Sequence, residues 1–183
     1  MAALRRKPRT RRLSQIWQEL GIPADYALVR HLPRQREAKR LTPIGRNPDG
    51  RVVRLAPRPA AAWRRLHFAA AANGIVLLPV SGFRSRARQV RIIRGKLRTG
   101  QLIADILRLV AAPGCSEHHT GCALDIGAPE VHGLDIRFAR TPAFRWMKKH
   151  AGRFGFRLSY PRKNRHGIGY EPWHWRWNAA RTY

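Results

Sequence analysis

Residues 116–125 have the sequence Ser-Glu-His-His-Thr-Gly-Cys-Ala-Leu-Asp, which combines candidate metal ligands with a turn and a strand. A proline-glycine pair just before this stretch indicates a loop, and Gly121 lets the chain turn into an apolar strand that contains Asp125. A carboxylate in an apolar strand is costly unless a metal or another cation pairs with it. His118 and Asp125 are therefore candidate metal ligands, although the abundant arginine of this chain could also pair with Asp125.

A second stretch, Glu-Pro-Trp-His-Trp at residues 171–175, supplies a third candidate ligand. His174 lies on a predicted strand that could pair beside the strand of Asp125. Catalytic zinc usually takes three protein ligands, His nitrogens and carboxylate oxygens, and leaves a fourth position for water. Glu171 would then lie near the metal without binding it, where a general base belongs.

A small structural zinc cluster is an alternative, and it would be formed by Cys115, His118, His119 and Cys122. Such a cluster is chemically reasonable, but it leaves both carboxylates and the distant histidine unexplained. Without it, the two cysteines form a disulfide or remain free thiols, and the sequence does not decide between these.

Hydrophobic periodicity and turn residues predict a mixture of helices and strands. Helices are predicted at about 13–20, 59–73, 85–97, 101–110 and 141–151, and strands at about 51–55, 75–80, 121–127, 156–160 and 171–177. Their irregular order favours an α+β fold with a mainly antiparallel sheet flanked by helices. We expect a mobile basic arm at residues 1–12, a wrapping segment at 13–57 and a catalytic domain at 58–183.

The charge is strongly unbalanced, with 37 Lys and Arg against 10 Asp and Glu and a formal net charge of +27. Such a surplus indicates an anionic partner, either nucleic acid or an anionic cell envelope. A nucleic-acid module would need a basic stripe with exposed aromatic residues, whereas the arginines here are spread along the whole chain. No apolar run approaches the roughly 20 residues that span a membrane, and the basic first twenty residues contain no apolar signal core.

Together these stretches resemble the D-alanyl-D-alanine carboxypeptidase branch of the zinc peptidases related to lysostaphin and hedgehog proteins. The family pattern Ser-x-His-x-x-Gly-x-Ala-x-Asp is met at 116–125, and Glu-x-x-His is met at 171–174. Ser-Gly-Tyr-Arg-Ser appears at 81–85 with Phe83 in place of Tyr, and His119 stands where the family usually has Gln. The similarity extends over about residues 58–177 and implies the hedgehog/DD-peptidase-like fold.

The resemblance also implies a cofactor, a reaction and a set of site residues. It implies bound Zn²⁺ with the ligands His118, Asp125 and His174, the general base Glu171, the carbonyl-stabilising cation Arg84, and the cleft residues Ser116 and Gln89. The implied reaction is removal of the terminal D-alanine from peptidoglycan stem peptides at the cell envelope, where anionic polymers are further possible partners. A lysin-type endopeptidase on the same scaffold is the alternative, although the Glu-Pro-Trp-His-Trp stretch favours the carboxypeptidase.

Overall fold

A four-stranded antiparallel sheet forms the centre of the structure, a computed structural model that describes residues 12–178. The strands are β1 (Thr42–Arg46), β2 (Val52–Leu55), β3 (Leu78–Ser81), β4 (Ala123–Gly127), β5 (Phe156–Leu158) and β6 (His174–Trp177). The helices are α1 (Leu13–Glu19), α2 (Tyr26–Val29), α3 (Pro57–Ala71), α4 (Arg86–Arg98), α5 (Ile103–Leu109) and α6 (Pro142–His150). Short 3-10 helices lie at Glu117–Thr120, Ile136–Arg140 and Ala151–Phe154.

The strand order of the main sheet is β3-β4-β6-β5, and every neighbouring pair is antiparallel. All five residues of β4 are buried, as expected for a central strand covered on both faces. Because side chains alternate along a strand, Leu124 and Ile126 enter the larger hydrophobic core while Asp125 points to the opposite face. The α+β class and the antiparallel sheet predicted from the sequence are thus confirmed.

Two hydrophobic cores stabilise the structure. The first lies between the main sheet, α3 and α6, and contains Trp63, Phe138 and Trp175. The second packs α1, α4 and α5 together around Trp17 and Ile93. Ser85 caps α4 by accepting a hydrogen bond from the backbone of Arg88, as the sequence predicts.

The N-terminal part of the described chain contains more regular structure than the sequence predicts. The pair β1–β2 forms an antiparallel hairpin, and α2 is a single helical turn. The sequence predicts β2 but misses β1, because Pro43 and Gly45 are poor strand residues and β1 contains a bulge between them. The predicted basic arm lies outside the described residues except for Arg12, and the boundary near residue 57 stays a prediction.

Two details of the predicted core are wrong. Ala61 is exposed, and the buried face of α3 uses Ala62 instead. The predicted strand at 75–80 begins only at Leu78, and Val76 before it is exposed. None of the helices between residues 12 and 178 combines the length and the apolar character needed to cross a bilayer.

Candidate metal centre and active site

Strand register brings the two sheet-borne candidate ligands together. Asp125 of β4 pairs directly with His174 of β6 on one side and with Ser81 of β3 on the other. Side chains directly opposite each other in an antiparallel pair have Cβ atoms about 5 Å apart. The separation of 49 positions in sequence therefore becomes a direct contact between two buried side chains.

His118 lies on the 3-10 helix that precedes β4. This helix ends at Gly121, which has a left-handed backbone (φ +66°) and donates its N–H to the carbonyl of His118. A Cβ at Gly121 would lie 2.8 Å from the backbone nitrogen of Ala56, so both conformation and space require glycine there. The turn directs the chain from His118 into β4, so that His118 faces Asp125.

The three candidate ligands form one buried cluster. The Nε2 atom of His118 lies 3.3 Å from Oδ2 of Asp125, and Nδ1 of His174 lies 3.1 Å from Oδ1 of the same carboxylate. One donor atom from each residue lies within 4.8 Å of the other two, and among residues 12–178 no other group of three His, Cys, Asp or Glu side chains does so. The structure therefore brings together the residues that the sequence spacing singles out.

Hydrogen bonds on the outer side of each imidazole ring leave the inner nitrogen available. The Nδ1 atom of His118 lies 2.7 Å from the carbonyl oxygen of Gly82, which can only accept, so Nδ1 carries the proton and Nε2 faces the cluster. The Nε2 atom of His174 lies 2.9 Å from a carboxylate oxygen of Glu117, and its Nδ1 faces the cluster. Two imidazole nitrogens, each held by a hydrogen bond on the other side of its ring, and a carboxylate oxygen fit a catalytic zinc ion.

The electrostatics of the cluster agree with this fit. Although burial opposes it, contacts with His118 and His174 hold the pKa of Asp125 well below its usual range, so the carboxylate is ionised. Burial lowers the pKa of His118 and keeps the ring neutral, as a metal ligand must be. Burial also disfavours a charged His174, but hydrogen bonds to Asp125 and Glu117 outweigh it and raise the pKa of His174 to about 10. Asp125 and Glu117 thus favour positive charge at His174, and a zinc ion beside Nδ1 would supply it in place of the proton.

Glu171 lies beside the cluster without joining it. Its Oε2 atom is 3.7 Å from Nδ1 of His174, and within residues 12–178 its carboxylate accepts no hydrogen bond. Burial is the main reason why the pKa of Glu171 rises to about 7. A buried carboxylate without hydrogen-bond donors is a stronger base than one in water.

Arg84 also contacts the cluster. Its Nη2 atom lies 3.7 Å from Oδ2 of Asp125, and its Nη1 donates to Oε1 of Gln89 at 3.2 Å. Gln89 in turn donates to the carbonyl oxygen of Ala111 at 2.6 Å and is almost fully buried. Gln89 thus lines the cleft as predicted, but its amide oxygen is occupied by Arg84 and its amide nitrogen by Ala111.

The active-site cleft has a volume of about 290 Å³ and is lined by all seven residues that the sequence singles out. The hydroxyl of Ser116 faces this cleft and has no hydrogen bond to the described part of the chain. Lys96 is the only basic lining residue besides Arg84 among residues 12–178. Arg86 and Arg88 line other surfaces, and Arg86 donates to the carbonyl oxygen of Gln35.

The alternative cysteine-histidine cluster is not formed. Cys115 and Cys122 are free thiols, and burial raises the pKa of Cys115, which disfavours the thiolate that zinc would need. Both ring nitrogens of His119 are taken by backbone groups, the carbonyl oxygen of Arg84 at 2.6 Å and the N–H of Gly114 at 3.0 Å. His119 therefore holds the loop together and has no free lone pair for a metal.

Glu117 is a residue whose contacts the sequence interpretation missed. The amino-acid sequence predicts only that Glu117 is solvated or paired with an arginine. The pairing is present, with Nη1 of Arg176 at 2.9 Å from Oε1 of Glu117. Its contact with His174 depends on how β6 lies against the 3-10 helix, which sequence spacing does not reveal. The scarcity of acidic residues is the one sequence signal for Glu117. With 10 Asp and Glu against 37 Lys and Arg, any carboxylate of this chain is expected to have basic partners.

An antiparallel sheet that carries a buried His-Asp-His cluster, with a glutamate and an arginine on either side, defines a zinc metallopeptidase. The family model for VanY, D-alanyl-D-alanine carboxypeptidase, matches residues 53–180. The chain belongs to this D-alanyl-D-alanine carboxypeptidase family.

Individual relatives agree with this assignment. A bifunctional D-Ala-D-Ala dipeptidase and D-Ala-D-Ala carboxypeptidase of Enterococcus gallinarum, VanXYC, is 35% identical over 130 residues, which are 68% of this chain and 67% of that protein. The structure of the LdcB LD-carboxypeptidase superposes with a TM-score of 0.71 at 30% identity and covers 79% of this chain and 71% of its own. The D,D-pentapeptidase VanY from a VanB-type resistance cassette, solved as a mutant in complex with Zn(II), gives a TM-score of 0.61 at 29% identity and covers 80% and 82%.

Proposed function

We propose that this enzyme is a zinc-dependent D-alanyl-D-alanine carboxypeptidase that removes the terminal D-alanine from peptidoglycan stem peptides. The observation that carries the proposal is the convergence of one donor atom each from His118, Asp125 and His174 on the floor of the active-site cleft. Family membership indicates the substrate class, and the residues that line the cleft indicate the chemistry.

His118, Asp125 and His174 would hold the zinc ion. When bound there, zinc supplies a Lewis acid that polarises the scissile carbonyl and makes water a better nucleophile at neutral pH. The neutral His118 and the ionised Asp125 are already in the protonation states that ligation needs.

Glu171 would act as the general base and then as the general acid. Its carboxylate takes a proton from the attacking water and later gives it to the amine of the departing D-alanine. Its position supports this role, because it lines the cleft, accepts no hydrogen bond from residues 12–178 and lies one contact away from a ligand.

Arg84 would stabilise the negative charge that develops on the substrate carbonyl oxygen. A fixed guanidinium in a desolvated cleft stabilises such a charge far more than one in water. Gln89 fixes it, since a buried amide that is itself anchored to Ala111 holds Nη1. The hydroxyl of Ser116, which has no hydrogen bond within residues 12–178, is available to the substrate backbone.

Recognition of a free C-terminal carboxylate separates a carboxypeptidase from an endopeptidase. Arg84 and Lys96 are the two cations that line the cleft within residues 12–178. Arg84 already contacts Asp125 and Gln89, whereas the ammonium group of Lys96 has one weak contact, 3.5 Å to Gln101. Lys96 follows Gln89 by seven positions on α4, so both lie on the helix face that borders the cleft. We therefore assign the terminal carboxylate to Lys96.

Mass spectrometry of digests tests the reaction. The zinc-loaded enzyme should release free D-alanine from a synthetic pentapeptide stem and should cut its C-terminal amide much more slowly. Internal cleavage between L-alanine and D-glutamate would instead identify a lysin-type endopeptidase. Release of D-alanine from a tetrapeptide but not from a pentapeptide would indicate the L,D-specificity named for the LdcB relative.

The carboxylate assignment has its own variant and control. Lys96→Met should lower kcat/KM for the free-acid pentapeptide by about tenfold, the value of one charge-assisted hydrogen bond, without changing zinc content. Lys148→Met removes the same charge from an exposed position on α6 and should have no effect. Equal kinetics for Lys96→Met and Lys148→Met would remove Lys96 from carboxylate recognition.

We also propose that the enzyme binds phosphate-bearing envelope polymers through an arginine groove, defined by Arg51, Arg54, Arg88 and Arg91. This groove has a volume of about 440 Å³ and continues along residues 81–83, next to Arg84 of the active site. None of its four guanidinium groups forms an ion pair within residues 12–178. Partial burial and the neighbouring positive charges of Arg84, Arg51 and Arg91 lower the pKa of Arg88.

Binding to cell walls at several salt concentrations tests the arginine groove. The double variant Arg88→Gln/Arg91→Gln should bind phosphate-bearing walls more weakly at low salt, since guanidinium–phosphate attraction is screened by salt. The control Arg64→Gln/Arg65→Gln removes two exposed arginines of α3 outside the groove and should bind like the parent. Equal loss in both variants would mean diffuse charge attraction, and preference for duplex DNA over teichoic acid or lipopolysaccharide would replace the envelope partner with nucleic acid.

A further inference from the structure

Glu117 makes a three-part contact behind the metal cluster. Its Oε2 atom lies 2.9 Å from Nε2 of His174 and accepts a hydrogen bond from Oγ of Ser159 at 2.6 Å. Its Oε1 atom accepts from Nη1 of Arg176 at 2.9 Å. The side chain is only 13% exposed, so these are contacts of a largely buried carboxylate.

The donors around Glu117 indicate what its carboxylate does to His174. Its Oε2 atom accepts from Ser159 and its Oε1 atom from Arg176, so the carboxylate acts as an acceptor and Nε2 of His174 donates to it. The lone pair that remains for a metal is then on Nδ1, the atom that faces Asp125 at 3.1 Å.

The carboxylate is itself held by two strands. Arg176 follows His174 by two positions on β6, so the two side chains project from the same face of the sheet. Ser159 follows directly after β5, and its backbone N–H donates to the carbonyl oxygen of His174. The 3-10 helix, β5 and β6 therefore all fix the position of one carboxylate.

We propose that Glu117 is the positioning residue that sets the tautomer and ring orientation of His174, with Arg176 and Ser159 holding its carboxylate in place. This inference rests on the proposed role of His174 as a zinc ligand. A contact with substrate does not explain Glu117, because it is absent from the lining of the active-site cleft and lies on the far side of the ring from Nδ1. An ion pair with Arg176 alone does not explain the position of Glu117 either. Arg176 binds Oε1, whereas Oε2 contacts the ring of His174.

The arrangement differs between the two histidine ligands, which makes it testable. The outer nitrogen of His118 is held by the backbone carbonyl of Gly82, which no side-chain replacement removes. The outer nitrogen of His174 is held by a side chain. Replacing Glu117 should therefore release His174 and leave His118 unchanged.

Zinc affinity and the tautomer of His174 are the two measurements. For Glu117→Ala, competition with a chelator should show zinc binding weakened by about 10- to 100-fold, as is typical when the partner of a metal-bound histidine is lost. In the zinc-loaded parent, long-range ¹⁵N–¹H spectra should show His174 as the Nε2–H tautomer, and in Glu117→Ala this signal should become mixed. Glu117→Gln keeps an acceptor oxygen and should recover part of the affinity, and it also serves if the alanine variant does not fold.

Controls separate this inference from the proposed function. Ser159→Ala removes one support of Glu117 but keeps its bond to His174, so zinc affinity should stay within a few-fold of the parent. If His174→Ala retains full zinc affinity, the ligand assignment itself fails. If His174→Ala loses zinc while Glu117→Ala keeps both parental affinity and the Nε2–H tautomer, only the role of Glu117 is overturned.

Discussion

The replacement of Glu171 by glutamine separates catalysis, metal binding and stability in one residue. The two side chains have nearly the same shape, and Glu171 accepts no hydrogen bond within residues 12–178 that the amide would break. Zinc content should therefore remain that of the parent. Turnover should fall by about a hundredfold to ten-thousandfold, the usual contribution of a positioned general base.

The same replacement should stabilise the zinc-free protein at alkaline pH. The pKa of Glu171 is raised from its ordinary value of 4.5 to about 7, mainly by burial. Below pH 4.5 the carboxyl is protonated in both the folded and the unfolded chain and has no effect on their equilibrium. Between pH 4.5 and 7 the unfolded chain ionises first, so the parent progressively loses stability as pH rises.

The size of this loss follows from the pKa difference. One pKa unit corresponds to about 1.4 kcal/mol, and the rise from 4.5 to about 7 therefore corresponds to about 3 kcal/mol of unfolding free energy in the zinc-free protein. Glutamine carries no charge and avoids this loss. The stability of Glu171→Gln relative to the parent should thus increase by about 3 kcal/mol between pH 4.5 and pH 8.

Urea unfolding in excess chelator at both pH values measures this difference, and a turnover assay of the zinc-loaded proteins accompanies it. Glu130→Gln alters an exposed carboxylate and should change neither quantity. A relative stability of Glu171→Gln that does not vary with pH would refute the desolvation argument. Turnover close to that of the parent would place the general base elsewhere.

Three further replacements test other parts of the site. Cys115→Ala/Cys122→Ala should keep zinc and turnover, and loss of zinc on metal analysis would favour the cysteine-histidine cluster. Gly121→Ala should lower the free energy of unfolding by at least about 1–2 kcal/mol in a denaturant titration, because alanine resists the left-handed backbone; unchanged stability would show that the turn can relax. Gln89→Leu should lower kcat/KM while zinc content stays unchanged, since it releases Arg84 but removes no contact of a metal ligand, and parental kinetics would show that Arg84 needs no anchor.

The metal cluster could be predicted because its residues lie in short stretches with strong local constraints. The loop, the glycine turn and the strand at 116–125 determine the spacing between His118 and Asp125 with little help from the rest of the chain. Placing His174 beside them required only that the last strand pair with β4, which the antiparallel register confirms.

The parts that could not be predicted depend on contacts between distant segments. Glu117 is adjacent to a ligand in sequence, but it contacts His174, which is 57 positions away. The sequence predicts that Gln89 lines the cleft, but only the packing of α4 reveals that its amide contacts Arg84 and Ala111. Strand β1 was missed because its hydrogen bonds to β2 outweigh its own poor strand propensity.

X-ray absorption spectroscopy at the zinc edge of the purified enzyme directly identifies the atoms that bind the metal. The proposed ligand set of His118, Asp125 and His174 predicts one zinc per chain, with nitrogen and oxygen neighbours at about 2.0–2.2 Å, a clear contribution from two imidazole rings and no sulfur. A sulfur shell at about 2.3 Å, or zinc that stays in place with the same spectrum in His174→Ala, would contradict it.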